Sequence, residues 1–259
     1  MSDETIVPVH PDLAGASVFV TGGGSGIGAA LTEGFLRQGA KVAFVQRSDA
    51  GAFCDRMERE AGARPLAIAC DVTDIAALER AMADAAAAHG PITVLVSNAA
   101  NDVRHTIAET DAAAWDASMA INLKPYFFAA RAAAPGMRAA GGGAIVNMSS
   151  ISYMMGNAGY PAYVTANAGI TGLTRALARE LGPDGIRANA LMPGWVLTEK
   201  QISQWATPED LAAHLDRQCL KRHLAPADMV GGCLFLASAA SRMMTGQALV
   251  IDGGVVVTG

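Results

Sequence analysis

Short, unbroken apolar runs alternate along this chain with alanine-rich stretches at helical spacing. Ser17–Thr21, Lys41–Gln46, Pro65–Cys70, Thr93–Ser97, Ala144–Met148, Arg187–Leu191 and Leu249–Asp252 have the length and continuous hydrophobicity of strands buried on both faces. Between them, Ile27–Gln38, Ile75–His89 and Pro161–Leu181 read as helices. This rhythm predicts an α/β protein: a doubly wound, seven-stranded parallel sheet with helices on both faces. No linker, charge run or low-complexity segment marks a second unit. Residues 1–259 therefore read as a single domain, with its core at 12–254. One stretch breaks the rhythm. From Trp195 to Leu224 the chain runs without a predicted strand, and 195–224 is expected to cover a ligand crevice at the carboxyl ends of the strands. The plainer alternative is a helical hairpin packed on the edge of the domain.

Composition narrows the function classes. With 51% hydrophobic side chains in 259 residues, a large core is available. The mean hydropathy of +0.27 would suit a membrane protein. However, no apolar run reaches the roughly 18–20 residues of a spanning helix, so no membrane partner is expected. Met1 to Leu13 is polar and acidic, without the basic and apolar regions of a leader, which predicts a cytoplasmic protein. A net charge of −5 and the lack of a basic stripe argue against nucleic acid. Cys54, Cys70, Cys219 and Cys233 show no CxxC spacing and read as buried, reduced thiols. The five histidines form no HxxxH or HExxH pair, so no metal is expected.

The first chemical signal follows the first strand, where Thr21 leads into Gly22-Gly-Gly-Ser-Gly-Ile-Gly28 and then directly into a helix. Glycines let the backbone turn tightly and approach a pyrophosphate, and the helix N-terminus offers free N–H groups to the phosphates. This strand–loop–helix context gives a Rossmann-type dinucleotide site. The spacing TGxxxGxG differs from GxGxxG and resembles the short-chain dehydrogenase/reductase family. The resemblance implies that Gly22, Gly26 and Gly28, with Gly24, Ser25 and Ile27 of the same loop, hold the cofactor.

At the end of the second strand, NAD-specific proteins carry an acidic residue for the ribose 2′-hydroxyl. Here stand Gln46, Arg47 and Ser48. Arg47 can pair with a 2′-phosphate and Ser48 can donate to it, so NADP is favoured over NAD. The alternative leaves Arg47 solvated and has Gln46 bond the 2′-hydroxyl of NAD. By resemblance, Asp71 caps the adenine amino group and Val72 packs on its ring, although Asp71 is also placed to N-cap the helix beginning near Asp74. Ser97-Asn98-Ala99-Ala100 resembles the family's NNAG with two changes. Asn98 matches the Asn that ties the central strands beneath the cofactor, and Ala99 lies beside it in the cofactor set. Pro193-Gly194, Val196 and Thr198 resemble the segment that clasps the nicotinamide amide.

The same resemblance supplies a catalytic set. Ser150 follows the fifth strand and precedes Tyr163 by thirteen positions, the family's spacing for its Ser and Tyr, and Asn122 matches the Asn of its relay. Hydride transfer at a carbinol carbon requires a proton to move at the oxygen, and a phenol with a reference pKa of about 10 must be made more acidic to serve. In the family a Lys four positions after the Tyr supplies that charge and grips the ribose. Here the position is Asn167, an i,i+4 neighbour of Tyr163 that can bond ribose hydroxyls but carries no charge. Three readings stay open: an engineered substitution, a natural one compensated by another cation or by water, or a protein that binds cofactor without turnover.

The crevice-facing segments also hold Asn101, Arg104, Ser152, Asn157, Tyr160 and Trp195 as candidate substrate contacts beside Ser150. A wall rich in polar groups suits a polyhydroxylated substrate better than an aliphatic one. The stretches Asn98–His105, Ser149–Tyr153 and Gln218–Lys221 resemble the family's bacterial sugar 1-dehydrogenases, which implies oxidation of an aldose C1 hydroxyl to the lactone. Another short-chain carbonyl reductase, of keto acids or acyl groups, is the alternative. Family members assemble as tetramers through two long helices, which here would be Asp111–Met137 and Pro161–Leu181, so a homotetramer is expected. The small residues Ala129–Ala134 and Ala166–Ala178 would equally suit packing on the sheet.

Overall fold

The computed structural model describes residues 8–257. All seven predicted strands form, with ends shifted by one or two residues: β1 Ser17–Thr21, β2 Lys41–Gln46, β3 Leu66–Ala69, β4 Val94–Ser97, β5 Gly143–Met148, β6 Ile186–Pro193 and β7 Ala248–Ile251. They pair in parallel in the order β3-β2-β1-β4-β5-β6-β7. The order reverses between β1 and β4. The loops leaving these two strands diverge, and a crevice opens at their carboxyl ends.

Ten helices are described: α1 Gly26–Arg37, α2 Gly51–Ala61, α3 Ile75–His89, α4 Ala112–Asn122, α5 Lys124–Ala139, α6 Ser152–Met155, α7 Pro161–Leu181, α8 Glu199–Gln204, α9 Pro208–Arg217 and α10 Val230–Ala237. Successive strand residues point to opposite faces, so the sheet builds two cores. Val18, Val20 and Phe44 meet Leu31, Phe35, Met57 and Leu234 of α1, α2 and α10. Phe19, Val45 and Leu95 meet Leu78, Met82, Met137 and Leu177 of α3, α5 and α7. Each such Leu, Phe or Met contributes about 1.5–3 kcal/mol relative to exposure. Ala129, Ala130, Ala133 and Ala134 are all buried in the second core, so this small-residue face of α5 packs within the chain.

Two expectations are corrected. The helix expected over Asp111–Met137 is two helices, α4 and α5. Leu123 leaves the helical region with φ −133° and ψ −50°. The reason is Pro125, which lacks the N–H that would donate to the Ile121 carbonyl and so interrupts the ladder, and which sits in the first turn of α5 where that N–H is not needed. Not all thiols are buried: Cys54, Cys70 and Cys233 are, but Cys219 is exposed. The segment 195–224 holds no strand, only α8, α9 and one isolated parallel bridge between Val196 and Leu224. Thr198 and Thr207 cap its helices by accepting from the Gln201 and Asp210 amides. Among the described residues, no helix is long and apolar enough to cross a membrane.

Candidate active site

β1 delivers the chain into the glycine loop, and α1 starts at Gly26, where φ is +52°, a conformation that favours glycine. A Cβ on Gly28 would stand 1.9 Å from the Gly22 carbonyl oxygen, so no larger residue fits between loop and helix. Ser25 occupies the N-cap without a side-chain capping bond. The first-turn amides of α1 are thus left to an anion, in a cradle whose glycines admit a pyrophosphate. Asn98 ties the floor together: its Nδ2 donates to the carbonyls of Thr21 and Gly22 at 3.0 and 3.1 Å. The Thr21 hydroxyl oxygen accepts from the amides of Asn98 and Ala99 at 2.8 and 3.0 Å. The loop, the helix end and this floor fit a dinucleotide.

At the end of β2, Gln46 Nε2 donates to the Ser48 and Asp49 carbonyls at 3.0 and 3.3 Å. Gln46 and Ser48 line a separate cavity of about 510 Å³ beside β3. Arg47 is 73% exposed, with its guanidinium 3.9 Å from Asp71. The N-cap alternative for Asp71 does not hold. Asp74 caps α3, accepting from the Ala77 amide at 3.0 Å, while Asp71 accepts from the Thr73 amide and hydroxyl at 2.9 and 2.8 Å. Those two bonds hold the Asp71 carboxyl below the usual range. Val72 is buried in the second core.

The remaining candidates meet in a cleft of about 590 Å³ above the carboxyl ends of β4, β5 and β6. The loop after β5 places Ser150 there, and Pro161 opens α7 at its first position, which brings Tyr163 into the first turn and Asn167 one turn below. Asn98, Ser152, Asn157 and Tyr160 join that wall, as do Ile27 and Arg104. Pro193, Gly194, Trp195, Val196 and Thr198 close it from the β6 side. Asn101 faces a smaller neighbouring cavity with Tyr160 and Tyr163. Asn122 is buried behind the cleft: its Oδ1 accepts from the Asn101 amide at 2.8 Å, and its Nδ2 donates to the Asn101 carbonyl at 2.9 Å.

The electrostatics of the cleft turn on residue 167. Asn167 is buried, and its Nδ2 donates to the Tyr163 backbone carbonyl at 3.0 Å, while the Ser149 hydroxyl donates to the Asn167 carbonyl at 2.9 Å. Desolvation and the negative charge of Asp102 push the Tyr163 phenol up to about 12, against weaker hydrogen-bonding pulls from Asn167 and Ser150. The Ser150 hydroxyl oxygen accepts from the Ser152 amide at 3.1 Å. Asn157 Nδ2 donates to the Tyr160 hydroxyl at 2.9 Å, and the rings of Tyr160 and Tyr163 stand 5.7 Å apart.

Several residues of the cleft carry no motif. Lys200 and Gln201 of α8 and Asp210, His214 and Arg217 of α9 line it. The ring of His214 packs edge-on to Trp195 at 5.4 Å, and burial lowers its pKa. Their one sequence signal was their place in the strandless segment.

A dinucleotide cradle opening onto a Ser–Tyr pair defines a nicotinamide-dependent oxidoreductase. The family model described as enoyl-(acyl carrier protein) reductase matches residues 22–256. A Rhizobium meliloti protein named "probable galactose dehydrogenase" is 49% identical over 95% of this chain and 96% of its own. A D-xylose 1-dehydrogenase of Caulobacter vibrioides is 43% identical, covering 95% and 98%. A structure from Agrobacterium tumefaciens assigned as a gluconate dehydrogenase superposes with a TM-score of 0.90 at 32% identity, covering 97% and 100%. The chain belongs to the short-chain dehydrogenase/reductase family, whose cofactors are NAD(P).

Proposed function

We propose that this protein oxidises the C1 hydroxyl of an aldose to the lactone, with Tyr163 as the acid/base. The observation that carries this reading is the polar wall of the cleft, where Ser150, Ser152, Asn157, Tyr160 and Gln201 line the same space as Tyr163. Such a wall rewards hydroxyl-bearing ligands and penalises apolar ones. The named galactose and xylose dehydrogenases support the same substrate class.

The glycine loop at Gly22–Gly28, with Ser25 and Ile27, would hold the pyrophosphate, and Asp71 and Val72 the adenine. Pro193, Gly194, Val196 and Thr198 would hold the nicotinamide end. When bound, the dinucleotide supplies the hydride acceptor. Ser150 donates a hydrogen bond to the substrate oxygen, and Tyr163 takes the C1 hydroxyl proton as the C1 hydride leaves. Asn122, fixed to Asn101, braces the loop after β4. Asn101 and Arg104 border the sugar from the β4 side and Trp195 from the lid formed by 195–224, within one domain spanning 1–259.

Assay with an aldose panel and either dinucleotide, following reduced nicotinamide and lactone together, is expected to show both products in equal amounts. Reduction of keto acids or acyl substrates without any aldose oxidation would overturn the assignment. A second reading, cofactor binding with little turnover, rests on the uncharged Asn167. It is selected by tight dinucleotide binding with silence across the panel.

NADP is the proposed preferred cofactor, because Arg47 is exposed and only loosely paired with Asp71. A charged hydrogen bond is worth about 1.5–3 kcal/mol, so Arg47→Ala should weaken NADP about tenfold or more while leaving NAD unchanged. Equal losses for both would remove Arg47 from the 2′-phosphate site. A cytoplasmic homotetramer is also proposed. Trp115 on α4 and Phe127 on α5 are 38% and 47% exposed, apolar surface that subunit contacts would cover. Light scattering should give four times the chain mass, and a monomer would sink this assembly.

A further inference from the structure

Residue 167 is neutral, and among the described residues lining the cleft the one ammonium belongs to Lys200 of α8. Lys200 Nζ lies 2.7 Å from Asp102 Oδ1 and donates to Asn101 Oδ1 at 3.0 Å. Gln201 Nε2 donates to the other oxygen, Asp102 Oδ2, at 2.7 Å, and Gln201 Oε1 accepts from Trp195 Nε1 at 2.9 Å. Both oxygens of Asp102 are therefore engaged by α8, across the mouth of the cleft from the β4 loop. Arg104 of the same loop stacks its guanidinium 4.4 Å from the Trp205 ring, just beyond α8. The two loops are clasped by side chains nearly one hundred residues apart in sequence.

Asp102 also bears on the chemistry: it lines the same cleft as Tyr163 with its side chain largely buried, so its carboxylate opposes formation of a second negative charge at the phenol. The other titratable groups facing this site are the phenols of Tyr160 and Tyr126, the imidazoles of His105 and His214, the Asp210 carboxylate and the guanidiniums of Arg104 and Arg217. Burial holds Tyr126 protonated. Burial likewise favours neutral His214. Asp210 is engaged by the Thr207 hydroxyl at 2.8 Å. Arg104 keeps its charge and lies over the Tyr160 and Trp205 rings, and Arg217 lines the cleft from α9.

We infer that the Asp102–Lys200 ion pair is a positioning device with two effects: it latches α8 over the cleft, and it offsets part of the opposition that the Asp102 carboxylate presents to charge on the Tyr163 hydroxyl. The inference rests on the proposed acid/base role of Tyr163. It assigns to the lid part of the electrostatic work that residue 167 cannot do. Lys200 does not replace the missing lysine. It offsets the adverse charge of Asp102.

The test is a double-mutant cycle read through pH. A neighbouring like charge moves a titration by about one unit or more, and below its pKa each unit is tenfold in phenolate. At a fixed pH on the rising limb, Lys200→Met should lower kcat about tenfold and Asp102→Asn should raise it about tenfold. In Asp102→Asn/Lys200→Met the limb should return close to its original position, while KM for substrate stays raised because the latch is gone. If all three variants raise KM and leave the limb in place, the pair is only a clasp and the electrostatic effect is refuted.

Tyrosinate ultraviolet absorbance gives an independent readout without substrate. The step that Tyr163→Phe removes should begin at lower pH in Asp102→Asn, and at higher pH in Lys200→Met, than in the unaltered protein. Should that step move while no aldose is oxidised, the ion pair is upheld and the substrate reading falls. Aldose oxidation with an unmoved step upholds the substrate and overturns the pair.

Discussion

Asn167→Lys is expected to raise kcat at pH 7 by roughly ten- to a thousandfold and to move the pH–rate profile toward neutrality. The phenol of Tyr163 is pushed up to about 12, so at neutral pH only a trace is ionised. A cation within about 4–6 Å lowers such a pKa by about 1–3 units, which sets the range. The sign follows from the chemistry: oxidation needs the base form, and a lower pKa provides more of it at every pH below the pKa. Position 167 lines the cleft one helical turn from Tyr163, on the same face of α7, so a lysine there brings its charge to the same cleft as the phenol. Asn167→Met, similar in length and uncharged, should give no such gain and separates charge from packing. A lysine variant no faster than the parent would show that charge at 167 does not limit the reaction.

Tyr163→Phe should lower kcat by about a hundred- to ten-thousandfold, the usual worth of a positioned acid/base, while dinucleotide affinity is unchanged. Phenylalanine keeps the ring that packs 5.7 Å from Tyr160 and removes only the hydroxyl. Stopped-flow hydride transfer and dinucleotide titration by fluorescence measure the two quantities separately. Retained turnover would remove Tyr163 from the proton path. Loss of dinucleotide affinity would instead make it a binding residue.

The sheet was legible in the chain because strands buried on both faces read as unbroken apolar runs, and Val18, Phe19 and Val20 are all at most 1% exposed. The Gly22–Gly28 loop was legible because its chemistry is local, with the tight turn and helix start in consecutive residues. Ser150 and Tyr163 were visible only through family spacing, since nothing local marks them as partners. The break at Leu123 was signalled by Pro125 but outweighed by the helical pattern on either side. Asp71 offered two local roles, and only the position of Asp74 at the start of α3 removed one. The Asp102–Lys200 contact was invisible, because it joins residues 98 positions apart through tertiary geometry alone. The strandless stretch suggested that something covers the cleft, without saying which side chains hold it there.

The reversal of strand order between β1 and β4 also makes the crevice depend on pairings between segments distant in sequence. Val18 pairs with Val94 and Leu191 with Leu249, so the crevice is assembled from segments that meet only after long loops have closed. Such closures are paid for before their contacts form, so the cleft is expected to form late in folding. A chain with only β1, β2 and β3 in place carries the glycine loop but lacks the β4 floor, the Ser–Tyr pair and the nicotinamide clasp. Full dinucleotide affinity is therefore a property of the finished sheet. By linkage, a dinucleotide at a hundred times its Kd adds about 2.7 kcal/mol to the finished state and nothing to its precursors, so refolding yields should rise when it is present from the start.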